Sequence, residues 1–287
     1  MKYIMLFIPA IAWGLMPLVV SSVKKSNVYN QISGTVIGAF VVAVIAWLVT
    51  RSEINMNIFI WAAVAGIAWV IGQVGQYISY SRIGVSETMP ISTGLQLIGV
   101  PLVGVLMFGE WSSPQAKLYG FIGIIVLIIG VGLTSVTDKG TAEGKESNQV
   151  STIILLVLTT LGYITSSSIP KVVKGSSTSI FIAQTVGMLV AVAIYTLVTK
   201  HGHVWVEKTS MECIPAGIIF GIGTLAYTTS VKMNGVNLAF VISQLCVVIS
   251  TVGGLVFLHE QKTKRGLIFT IVGLVLIIAG AILTTLF

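Results

Sequence analysis

The chain has 287 residues, 55% of them hydrophobic and 9% charged, with a formal net charge of +7. Mean hydropathy is +0.99. A soluble domain is nearer a quarter charged, so a water-soluble globule is excluded, and disorder, which needs low hydrophobicity and high charge, is excluded with it. At about 20 residues per helix, the chain can cross a bilayer about ten times.

Apolar segments bounded by charged or turn residues fall, in chain order, near 3–22, 33–50, 57–80, 86–108, 116–136, 151–169, 177–199, 212–231, 236–258 and 265–286. Each is long enough to span as a helix. None alternates with the period of two that a barrel strand shows. Backbone polar groups must be satisfied internally in lipid, so an all-α membrane protein of ten transmembrane helices is expected. The opening Met1-Lys2-Tyr3 and its apolar run imitate a signal peptide. The run continues to about Val20 without a small-x-small cleavage site, and it reads as the first span.

Cys213 and Cys246 lie in apolar stretches and read as small buried hydrophobes. The basic residues sit in short loops, with no basic, aromatic-interleaved patch, so nucleic acid is not an expected partner. With the N-terminus inside, six bases fall inside and ten outside. The positive-inside rule taken alone favours both termini outside, but the bias is small and the count leaves the orientation open.

The one long polar stretch, Thr137 to Gln149, divides the spans five and five. Around it the sequence repeats. Gly123, Gly130, Leu133 and Thr134 coincide with Gly273, Gly280, Leu283 and Thr284 at a constant offset of 150. Phe108-Gly-Glu110 meets Leu258-His-Glu260 at the ends of spans 4 and 9, and Leu48-Val-Thr-Arg51 meets Leu197-Val-Thr-Lys200. An odd-numbered unit must re-enter from the opposite side. Two inverted five-helix repeats are therefore expected, residues 1–136 and 151–287, joined by a polar loop at 137–150, with a substrate site near the midplane.

Polar groups within spans are costly and mark candidate function. Span 3 places Trp69, Gln73, Gln76 and Tyr80 on one helical face. Span 4 carries Glu87, Thr93 and Gln96, and its Pro90 predicts a kink or break. Trp13 in span 1, Tyr163 in span 6, Tyr227 in span 8 and Gln244 in span 9 complete the set. These are neutral amides, hydroxyls and aromatic faces. They suit an uncharged, hydroxyl-rich solute such as a sugar, although glutamines that glue helices together use the same side chains. Glu87, Glu110 and Glu260, acids at or near span ends, are the candidates for carrying a proton, with solvated helix ends as the alternative.

No enzyme motif is present, and no phosphate-binding loop that would couple ATP. His201, His203 and His259 lie in or beside loops; His201-x-His203 with Glu207 reads as a solvated loop rather than a metal site. No metal or cofactor is expected.

Gly72-Gln-Val-Gly-Gln76, Ile83-Gly-Val-Ser86, Met89-Pro-Ile-Ser-Thr-Gly-Leu-Gln96 and Phe108-Gly-Glu-Trp111, with Pro9-Ala-Ile-Ala-Trp-Gly14 and Tyr29-Asn-Gln31, resemble bacterial glucose and ribose uptake proteins. These form the glucose/ribose porter family, related to the L-rhamnose–proton symporter, within the drug/metabolite transporter superfamily. The resemblance implies ten helices in inverted repeats. It also implies a multi-pass protein of the bacterial cell membrane that takes up a monosaccharide with a proton by alternating access, along a pathway among spans 1, 3, 4, 6, 8 and 9. The same fold also serves exporters of amino acids or amphipathic compounds, which is the alternative reading.

Overall fold

The computed structural model describes residues 4–108, 111, 113–134, 143–234 and 236–284. Helices dominate it, and among the described residues there is no strand. In chain order they are α1 (Ile4–Ser22), α2 (Val28–Thr50), α3 (Met56–Ile83), α4 (Val85–Phe108), α5 (Pro114–Thr134), α6 (Glu143–Val172), α7 (Ser177–Val198), α8 (Lys208–Glu212), α9 (Ile214–Asn234), α10 (Val236–Ser243), α11 (Cys246–Phe257) and α12 (Lys264–Leu283). A 3₁₀ turn, Gly202–Val206, precedes α8.

Among the described residues nine helices are long and apolar enough to cross a membrane. The outward faces of several carry exposed Ile, Leu and Val, including Ile45, Ile71, Ile125, Ile128 and Val275. In lipid such a surface costs nothing. Polar caps mark the starts: Asn27 forms a capping box with Asn30, Asn55 accepts from the Ile58 N–H, and Thr263 from the Gly266 N–H.

The structure departs from expectation at three places. Of the kink or break expected at Pro90, the break is absent, since α4 runs without interruption from Val85 to Phe108. Pro90 stands near the start of the helix and removes a bond only from its first turns, which are held from outside by Glu260. The discontinuity falls instead in the segment expected at 236–258, which divides into α10 and α11. There the Leu245 and Val247 N–H groups donate to the carbonyls of Ile242 and Gln244, three residues back rather than four. The start of α6 also differs from expectation. It begins at Glu143, inside the stretch read as a polar loop, because a charged segment can stay helical as it leaves the membrane.

With no hydrophobic drive between helices in lipid, close contact depends on small residues. α3 packs on α6 and α7, and α9 packs on α1 and α2; α5 and α12 pair with each other; α4 contacts α5, α6 and α11. A Cβ on Gly72 would stand 2.6 Å from the Tyr163 ring, so this glycine lets α6 press an aromatic side chain onto α3. Cys213 and Cys246 are free and buried, as expected. One apolar cluster joins Trp69, Tyr77, Tyr80, Met89, Tyr163, Phe220 and Cys246, with Trp13 packed against it.

Candidate functional site

The interior polar groups come from α1, α3, α4, α6, α9 and the α10–α11 junction. Helical spacing alone places Gln73 and Gln76 side by side on α3, and both are buried. Gln73 Nε2 donates to Gln76 Oε1 at 3.2 Å. The Tyr163 hydroxyl, arriving from α6, shares its proton between Gln73 Oε1 at 2.8 Å and Gln76 Oε1 at 3.0 Å. Gln76 Nε2 in turn donates to Ser92 Oγ on α4 at 2.9 Å, and Gln96 reaches the same oxygen from one turn further on, at 3.4 Å. Three helices are thereby joined by one chain of neutral hydrogen bonds. A buried network of this kind holds its members in place because each unmade bond costs the full desolvation of the group.

Four of the expected residues, Gln73, Gln76, Gln96 and Tyr163, meet in this network. Ser92, its connecting residue, is not singled out by sequence, because α4 carries several hydroxyls and spacing does not distinguish them. Thr93 is buried next to it on α4.

A second group lies between α1 and α9. Trp13 and Tyr227 pack with ring centroids 5.2 Å apart and planes tilted by 46°. The Trp13 indole N–H is buried without a hydrogen-bond partner among the described residues. Buried donors are nearly always paired, so this one is an open position for an acceptor. Trp69 and Phe220 add a further aromatic contact between α3 and α9, with centroids 4.6 Å apart. Gln244 stands at the break between α10 and α11, buried, its Nε2 3.5 Å from Ser243 Oγ. Among the described residues it joins neither of the first two groups through a direct hydrogen bond.

The acids separate. Glu87, in the first turn of α4, is buried and accepts from Gln149 Nε2 on α6 at 2.7 Å. Gln149 reads as part of the polar loop from its neighbours in sequence, so this pairing is not visible there. Glu260 lies between α11 and α12, and its carboxylate accepts from the backbone of α4. Glu110 lies outside the described residues. Among the described residues no group of three or more His, Cys, Asp or Glu could hold a metal ion. His203 pairs with Glu207 at 3.4 Å on an exposed turn.

Membrane-spanning helices packed around uncharged amides, hydroxyls and rings define a multi-pass membrane protein with a polar but neutral interior. The chain belongs to the sugar transport protein family, whose sequence model matches residues 4–287. It is 70% identical over 287 residues to a candidate sugar uptake protein of Lactobacillus johnsonii, covering 100% of both chains. It is 37% identical over 284 residues to the glucose uptake protein GlcU of Bacillus subtilis, covering 98% of this chain and 97% of that one. A solved crystal structure superposes with a TM-score of 0.67 at 15% identity, over 99% of this chain and 98% of the other, a likeness of fold. Spans and family together place the protein in the bacterial cell membrane.

Proposed function

We propose that this chain is a secondary active carrier that takes up glucose or a related monosaccharide with a proton, by alternating access. The observation that carries the reading is the neutral network of Tyr163, Gln73, Gln76, Ser92 and Gln96. Amides can both donate to and accept from sugar hydroxyls, and the faces of Trp13 and Tyr227 suit the C–H faces of a sugar ring. Trp13, Gln73, Gln76, Thr93, Gln96, Tyr163, Tyr227 and Gln244 are the proposed contacts. An anionic solute would call for Arg or Lys among them, and none is present.

Alternating access needs two halves that move against each other. The proposed halves are the repeats 1–136 and 151–287, placed in opposite orientation. Helix pairing supports this, since exchanging the halves turns the α3–α6 contact into α9–α1 and α3–α7 into α9–α2. The close approaches also come in exchanged pairs. Gly38 meets the Ile214 carbonyl and Gly187 meets that of Ala63; Gly217 meets the Thr35 carbonyl and Gly66 meets that of Gln184.

Glu87 is the proposed proton carrier. It is a carboxyl only 8% exposed in the first turn of a membrane-spanning helix, where ionisable groups are costly and mark function. Counterflow of labelled glucose and ribose in proteoliposomes tests the proposal. Saturable exchange of a monosaccharide supports it. Exchange of amino acids or amphipathic compounds without sugar exchange overturns it.

A further inference from the structure

Glu260 belongs to the segment after α11, yet it caps α4. Its Oε1 accepts from the Val85 N–H at 2.6 Å and its Oε2 from the Ser86 N–H at 2.8 Å. These N–H groups are two of the four that a helix start leaves without an intrahelical partner, and a carboxylate there also meets the positive end of the helix dipole.

The receptor is shaped for the carboxylate by two glycines on different helices. Gly84 takes a φ of +82°, and a Cβ on it would stand 2.9 Å from the Glu260 carboxyl carbon. A Cβ on Gly254, within α11, would stand 2.9 Å from Glu260 Oε2. The Glu260 N–H donates back to the Gly254 carbonyl at 3.2 Å, and His259 before it takes a left-handed φ of 54° to turn the chain inward. The end of α11 and the start of α4 are therefore tied through one side chain.

Chain connectivity places this tie. The α3–α4 turn and the α11–α12 segment each follow an odd-numbered span, so both lie at the end of the bundle away from the N-terminus. α4 carries Ser92, Thr93 and Gln96, while the segment that ends in α11 carries Gln244. Two walls of the polar interior are thus clamped together at one end.

We propose that Glu260 is a latch. While its carboxylate holds Val85 and Ser86, α4 and α11 stay together and the interior is shut at that end; release lets them part and opens it. The proposal rests on the carrier reading of the same interior. It gives Glu260 a positioning role, acting through α4, in place of a role in carrying the proton.

The test reads the sidedness of access without any sugar. Thr93→Cys is introduced into the full chain together with Cys213→Ala and Cys246→Ala, and a membrane-impermeant maleimide is applied to intact cells and to inverted vesicles. A second reporter, Ser81→Cys, exposed beside the α3–α4 turn, shows which preparation presents the latched end. Glu260→Gln is expected to shift the labelling ratio toward that end by roughly tenfold, the population change that losing one charge-assisted hydrogen bond sustains. Gly254→Ala keeps the charge but crowds the carboxylate, and is expected to shift the ratio the same way. Glu260→Asp, one methylene shorter, is expected to fall between wild type and Glu260→Gln.

An unchanged ratio in the variants that reach the membrane overturns the latch. So does an equal rise in labelling at both ends, which is what general loosening of the fold would produce. Unchanged sidedness with loss of pH-driven accumulation would return Glu260 to the proton path. Absence of sugar counterflow in the unmodified chain would instead overturn the carrier reading, and the labelling ratio would be unaffected by it.

Discussion

Gly130 on α5 and Gly273 on α12 meet backbone to backbone: a Cβ on Gly130 would stand 2.9 Å from the Gly273 carbonyl oxygen, and a Cβ on Gly273 2.6 Å from that of Gly130. Two turns along, Gly123 and Gly280 make the matching contact, 2.8 Å in both directions. Thr134 packs beside the first pair and Thr284 beside the second. The two contacts run in opposite chain directions, so α5 and α12 cross antiparallel. Under the proposed repeat, which equates Gly123 with Gly273 and Gly130 with Gly280, exchanging the halves would convert one contact into the other.

Gly130→Val is expected to force α5 and α12 apart and cost about 1–3 kcal/mol, the usual range for overpacking a close contact. A Cβ on Gly132, two residues away, would meet nothing within 4 Å, so Gly132→Ala is the matched control and should be neutral. Thermal unfolding of the detergent-purified protein checks this. Equal melting points for both variants would show that the contact does not support the fold.

Tyr163→Phe removes the donor to the buried Gln73 Oε1, while Gln76 Oε1 keeps the bond from Gln73 Nε2. An unsatisfied buried group costs about 1–3 kcal/mol. The half-saturation concentration for sugar in counterflow is expected to rise by about tenfold or more, with the protein still folded. An unchanged value would remove the network from the binding site.

Glu87→Gln keeps the shape of the side chain and its capacity to pair with Gln149, but cannot bind or release a proton. In the unmodified chain, accumulation is expected to grow as the side from which sugar is taken up becomes more acidic, because a carboxyl loads its proton at low pH. In the variant, accumulation should no longer respond to the gradient, while counterflow, which needs no net proton movement, continues. Gradient-driven accumulation that survives in Glu87→Gln rules Glu87 out as the carrier.

Trp13 separates packing from recognition. Trp13→Phe retains a ring against Tyr227 but lacks the buried indole N–H that has no partner among the described residues. It is expected to lower sugar affinity with little change in melting temperature. Trp13→Ala should lower both, since an aromatic pair contributes about 0.5–1.5 kcal/mol beyond the area it buries. If Trp13→Phe binds sugar as well as the unmodified chain, the N–H plays no part in recognition.

Much of the fold is legible from hydropathy and spacing. Long apolar runs become helices because a backbone in lipid has few other ways to satisfy itself. Gln73 and Gln76 can be paired in advance, since a three-residue spacing puts both on one face of a helix whatever surrounds it. The break at Gln244 is hidden because neither proline nor glycine stands there, and the chain departs from α-helical bonding through a change of partner alone. As a marker of a break, Pro90 misleads for the converse reason, as its effect depends on how near it lies to a helix start held from elsewhere.

The sequence by itself therefore determined which segments enter the membrane, and that their interior polarity is mostly neutral, with few acids beside the amides, hydroxyls and rings. Both are local properties, written in composition and in the periodicity of one helix. Tertiary structure alone decided that Tyr163 reaches Gln73 across 90 residues, that Ser92 joins α3 to α4, and that the Glu260 carboxylate closes on Val85 across 175. Such contacts depend on how closely glycine lets one backbone approach another, a property of two surfaces together that neither segment carries alone.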